Sequence, residues 1–130
     1  MSLDVTEPEV QLAARGEMSD EAFIGIIERS LPFAYGVVER LADGLKHGAT
    51  VVFDQPPHMD DAERAQLLRV FASTSMRTAL EKHFGITQLA FQNCHFTAAA
   101  SDEGTRSEQW QHFISPRGQV LAQRPDLRDC

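Results

Sequence analysis

Ile86-Thr87-Gln88-Leu89-Ala90-Phe91-Gln92-Asn93-Cys94-His95-Phe96-Thr97 is the stretch on which the rest of the chain turns. It is rich in β-branched and aromatic residues and follows Gly85, so it reads as one strand running to about Ala98. Alternation puts Leu89, Phe91, Asn93, His95 and Thr97 on one face and Ala90, Gln92, Cys94 and Phe96 on the other. Cys94 and His95 are neighbours in sequence and therefore point apart.

Downstream, Ala98 to Ser107 is a polar connector, and Glu108-Gln-Trp-Gln-His-Phe-Ile114 reads as a second strand with Trp110, His112 and Ile114 on one face. Ser115-Pro-Arg-Gly118 has a β-turn composition, with proline second and glycine fourth. Gln119 to Gln123 then closes a hairpin. Pairing the first two of these strands in one register sets Cys94 opposite His112 and His95 opposite Gln111, whereas a one-residue slip reverses the faces. A Cys94–His112 couple would have the makings of a nucleophile and its base. The simpler reading of Cys94 is a small buried apolar side chain.

Upstream the periodicity is helical. Residues 7 to 15 form a short helix with Pro8 in its first turn and Gly16 as its stop. Ser19 is an N-cap, Asp20 and Glu21 complement the helix dipole, and Met18 and Phe23 occupy the positions of a hydrophobic staple. Pro32 ends that helix and opens another, whose Ala34, Tyr35, Val38, Leu41, Ala42 and Leu45 trace one face. Gly36 within it suggests close packing against another element. Ala49 to Phe53 is a short strand that the prolines at 56 and 57 terminate. Asp60 and Glu63 have capping-box spacing before a further helix. Another helix follows Ser73-Thr-Ser75, with Arg77 and Glu81 spaced as an i,i+4 ion pair and Gly85 as its end.

The order is roughly α-α-α-β-α-α-β-β-β. The expected class is α+β, with the N-terminal helices and a helical pair packed on one face of a three- to four-stranded, mainly antiparallel sheet. At 130 residues the whole chain, 1–130, is expected to form a single domain, with 1–6 and 125–130 as flexible ends. No internal repeat is evident.

Bulk composition narrows the function. Twelve basic residues are scattered among nineteen acidic ones, for a net charge of −7, and no basic run of about five or more exists. Affinity for nucleic acid comes largely from cations neutralising phosphates, so neither nucleic acid nor an anionic membrane is an expected partner. No apolar run approaches the roughly 18 residues of a membrane span, and the acidic N-terminus lacks a signal-peptide pattern. Two cysteines, one of them the last residue, do not make an oxidised scaffold. The expected location is cytoplasmic.

Motifs for phosphate loops, dinucleotides, nucleophile elbows and zinc are absent, so no cofactor is expected. His58 with Asp54, Asp60 and Asp61 resembles a cluster of hard ligands, but nothing in the spacing makes it converge and Asp60 is better explained as a cap, so no metal is assigned. The candidate binding residues are Asn93, His95, Trp110, His112 and Cys94, a polar patch within an apolar surface. The reading these support is a non-catalytic binding or accessory protein acting through a sheet-face pocket or a helical surface. Its expected partner is a small molecule or a protein, and a homodimer is compatible with the apolar helical faces. The alternative is a small cofactor-free enzyme with a histidine acid–base group in the same pocket.

Overall fold

The computed structural model describes residues 2–56, 59–92 and 95–123. Three helices lead: α1 (Glu7–Ala14), α2 (Asp20–Ser30) and α3 (Pro32–Leu45). Strand β1 (Val51–Asp54) is followed by the pair α4 (Asp61–Phe71) and α5 (Thr74–Phe84). The hairpin strands β2 (Gln88–Gln92) and β3 (His95–Ala99) come next, and α6 (Asp102–Arg106), α7 (Glu108–Phe113) and α8 (Pro116–Leu121) close the described chain. The class is α+β, as the sequence indicates. The sheet is antiparallel and three-stranded, in the order β1-β3-β2. Among the described residues no helix is long and apolar enough to cross a membrane.

The N-terminal helices start and stop where local chemistry demands. Thr6 and Glu9 form a reciprocal capping box on α1, and Gly16 takes a left-handed φ of 71° just beyond its end. Ser19 Oγ accepts from the Ala22 N–H at 3.1 Å. Asp60 and Glu63 exchange the two capping-box hydrogen bonds at 2.8 and 3.0 Å. Gly85, at φ 67°, closes α5. The start of α3 is different, because Leu31 has no side-chain acceptor. Its orphan donors at Phe33 and Ala34 are met instead by Gln66 Oε1 of α4, at 2.8 and 3.2 Å. A tertiary contact thus replaces a local cap.

Helices α2 to α5 form one layer over one face of the sheet, as the apolar periodicity implies. Leu31, Val37, Val38, Leu67, Val70, Phe71 and Leu80 are buried there against Leu89, Phe96 and Ala98 of the sheet. Phe71 is the hub, with ring centroids 5.5 Å from Phe91 and 5.1 Å from Phe96. Two local expectations fail in this layer. Gly36 has only the end of Arg40 nearby, so it marks no close packing. Arg77 and Glu81 do not pair: Arg77 donates to the Phe71 carbonyl at 3.1 Å, and Glu81 accepts the Leu89 N–H at 2.7 Å.

The C-terminal third departs most from the sequence reading. The stretch 86–98 is not one strand but two, and Gln92 of β2 pairs directly with His95 of β3. Glu108 to Phe113 is the helix α7, not a strand. The expected turn and closing strand at 115–123 are α8, with Ser115 as N-cap and Pro116 in its first turn. The physical reason is a run of serines. Ser101, Ser107 and Ser115 each accept a backbone N–H three residues on, at Gly104, Trp110 and Gly118, so each opens a helical turn that alternation counts cannot see. These short helices lie on the sheet face opposite α2–α5, where Thr97 and Ala99 are buried. Gly104 approaches so closely that a Cβ there would overlap the Thr50 carbonyl oxygen.

Candidate functional site

The side chains that converge outside the main core belong to this second layer. A cavity of about 330 Å³ lies between the sheet and α7–α8. Phe53 of β1, Gln92 of β2 and His95 of β3 form its floor. Gln109, His112 and Phe113 descend from α7 at i, i+3 and i+4, the spacing that puts side chains on one helical face. Gly118, Leu121 and Ala122 close it from α8 and the residue after it.

The walls are positioned by packing and by serine hydroxyls that serve two partners. Trp110 is buried at 2% exposure and anchors α7. Ser107 Oγ accepts from the Trp110 N–H and donates to the Gly104 carbonyl at 2.7 Å. Ser115 Oγ accepts from the Gly118 N–H at 2.9 Å and donates to the His112 carbonyl at 2.6 Å. At Gly118 a Cβ would overlap that same His112 carbonyl oxygen, so only glycine lets α8 fold back this tightly on α7.

The cavity is apolar with a few amides and imidazoles. No Lys, Arg, Asp or Glu lines it among the described residues. Nearby Asp54, at the end of β1, is held by Arg40 at 3.2 Å. Gln92 is 9% exposed, and its amide nitrogen is buried without a hydrogen-bond acceptor among the described residues. Phe53 is the opposite case, half exposed at 49%, with its ring tilted against Phe113 at 5.7 Å.

Of the residues singled out from the sequence, His95 and His112 are brought together as lining of this cavity, by a helix over a sheet and not by strand pairing. Trp110 supports the wall from within and does not line it. Asn93 and Cys94 lie outside the described residues. The Cys94–His112 strand register cannot exist, since 108–113 is helical. The metal-like group also dissolves into local roles: Asp60 caps α4, Asp54 pairs with Arg40 and Asp61 with Arg64. His58 lies outside the described residues. Gln92, Phe53, Gln109 and Phe113 join the site without having stood out in the sequence. For the α7 pair a signal exists, as Ser107 followed by Glu108 is a helix start. For Gln92 there is none, because its burial depends on the helices above it.

Over residues 1–130 the chain matches the model of a family described as the NucS shadow ORF. The chain belongs to the NucS shadow ORF family. No curated protein matches it, and no solved structure does. Membership of the NucS shadow ORF family corrects the functional expectation drawn from composition and motifs. The family's description names NucS. Neither the binding or accessory role for an unspecified ligand or partner nor the histidine acid–base enzyme stands beside that match.

Proposed function

We propose that the protein acts together with NucS, for which its family is named, in a nucleic-acid-related role. The observation that carries this reading is the extent of the match, which spans all of 1–130 and so is not owed to one shared helix or hairpin. The nucleic-acid part rests on NucS, which the family's description names. One recurrent grip on single strands is a GXXG loop that clamps four backbone nucleotides.

This chain has no GXXG tetrapeptide; Gly44 and Gly48 stand one residue too far apart. With a net charge of −7 it also lacks the cationic surplus that drives phosphate binding. Any nucleic acid it meets is therefore engaged through bases and through NucS more than through its own grip on the backbone. The acidic surplus weighs against unaided binding of duplex and single strand alike, since both carry phosphates.

The test is to mix the purified protein with purified NucS and measure mass by light scattering across size exclusion, with and without a single-stranded oligonucleotide. A co-eluting complex of defined stoichiometry is expected. Separate elution under both conditions would end the reading.

A further inference from the structure

We infer that the N-terminal arm, residues 2–14, is a strap held shut over Ile26 of α2 by the guanidinium of Arg29, and that breaking this clamp uncovers an apolar strip on α2. Ile26 is 2% exposed, yet it is not part of the main core cluster, whereas Ile24, Ile27 and Leu31 of the same stretch are. Those three mark the side of α2 that faces the core. Ile26 points away from it and shares a face with Arg29 and Ser30, three and four residues on. Its cover therefore comes from another part of the chain.

The arm lies on that face. The Asp4 N–H donates to Ser30 Oγ at 2.8 Å. Arg29 donates to the Asp4 carbonyl from both Nε and Nη2 and to Glu9 Oε1 at 2.8 Å, and its Nε stands 3.4 Å from the Asp4 carboxylate. The arm thus starts beside the end of α2, and the turn through Gly16 to the Ser19 cap returns the chain to the start of α2, so α1 runs antiparallel to it. Glu9 and Leu12, three residues apart, are partly buried while the rest of α1 is exposed; they are its inner face. With Glu9 on Arg29, Leu12 falls about one turn nearer the start of α2, over Ile26. The hold is light. Helix α1 has 8 residues and none is buried, below the roughly 12–15 at which an isolated helix is even marginal in water. Leu3, partly buried at the edge of the core, is the arm's other attachment. Closure therefore depends on one partly exposed guanidinium, whose attraction for carboxylates is screened by salt.

The experiment compares the native full chain with Arg29→Met, which keeps an aliphatic stem and loses the charge. Arg29 is exposed, so the variant is expected to fold; circular dichroism checks this. Two signals are read. One is amide hydrogen exchange at Val10 and Arg15, which are hydrogen-bonded to Thr6 and Gln11. The other is the broadening of isoleucine methyl NMR signals by a soluble nitroxide, with Ile27 in the core as the internal reference.

In Arg29→Met the two amides should exchange about fivefold faster, and the Ile26 methyl should broaden more while Ile27 does not change. Raising KCl from about 0.05 M to about 1 M should move the native chain in the same direction and leave Arg29→Met where it is. The salt titration of the native chain needs no variant and decides alone if Arg29→Met fails to fold. Unchanged exchange in Arg29→Met, an Ile26 methyl still shielded once the α1 amides exchange faster, Ile27 broadening in step with Ile26, or a native chain insensitive to salt would each overturn the inference.

Discussion

On β3, Phe96 and Ala98 belong to a core built by helices of 11 to 14 residues, whereas Thr97 and Ala99 are covered by helices of 5 or 6. The first face is closed by interdigitated aliphatic and aromatic side chains. The second is closed by one tryptophan, serine caps and close-approaching glycines, and it leaves a cavity. A helix of one or two turns has little amphipathic surface and no independent stability, so its position is set by backbone hydrogen bonds and steric fit. The difference suggests a division of labour in which one face supplies stability and the other supplies access.

The largest effect expected from this contrast lies in the long-helix core. Phe71→Ala removes the ring shared by Phe91 and Phe96 and should cost about 3–5 kcal/mol, seen as a fall in the urea midpoint with the slope retained. Gly104→Ala should cost less, about 1–3 kcal/mol, because α6 can shift away from the Thr50 carbonyl. Its signature should be local, a red shift of Trp110 fluorescence below the main unfolding transition. If Gly104→Ala instead lowered the midpoint as far as Phe71→Ala, with fluorescence and circular dichroism coincident, the two faces would be one cooperative unit and the contrast would fail.

The same contrast explains what can be read without a structure. The class, the helices through residue 84 and their ends are legible because Ser19, the Asp60–Glu63 box, Gly16 and Gly85 act within a few residues of themselves, and the apolar period of α2 and α3 is long. The short C-terminal helices are not. Glu108 to Phe113 is only six residues long, and over that length the helical and strand periods cannot be separated. The site is legible only in part. His95 and His112 do line one cavity, but the helix that brings His112 there is too short to show its period. The unpaired amide of Gln92 exists only because distant elements bury it. The Gln66 cap on α3 leaves no local trace for the same reason, being a contact between residues 33 positions apart.

Two smaller substitutions sharpen the comparison. Ser107→Ala removes the hydroxyl shared by the end of α6 and the start of α7, and should cost about 1 kcal/mol. Its effect should appear as faster amide exchange at Trp110 and Gln111, with the α3 and α5 amides unaffected. Gly25→Ala should act in the opposite direction. Gly25 is exposed within α2, and a methyl group added there would meet nothing within 4 Å, so alanine should stabilise by about 0.4–1 kcal/mol through the unfolded chain. Glycine in a long helix is thus dispensable where glycine in the short-helix layer is steric necessity. A destabilised Gly25→Ala protein would contradict that assignment.

The smallest effect concerns α1, which has no buried residue and so belongs to neither face. It is held by polar contacts: Glu9 accepts from the Thr6 N–H at 2.8 Å and from Arg29 at 2.8 Å, and Arg29 also reaches the Asp4 carbonyl. The Thr6 backbone hydrogen bond, opposed by desolvation and aided by Arg29, holds the Glu9 carboxyl below its ordinary range. A carboxyl whose folded pKa is depressed binds its proton more readily in the unfolded chain. Its contribution is therefore complete above the ordinary glutamate value and is lost as pH falls through the lowered one. Acid should release α1 in that window while Trp110 fluorescence stays constant, since α7 is held by the Ser107 hydroxyl and by burial of Trp110, neither of which titrates. Carboxyl NMR should place the Glu9 midpoint below that of an unstructured peptide, and Arg29→Ala should raise it only part of the way, because the Thr6 bond remains. A Glu9 midpoint at or above the peptide value would mean that α1 is attached by something other than this carboxylate.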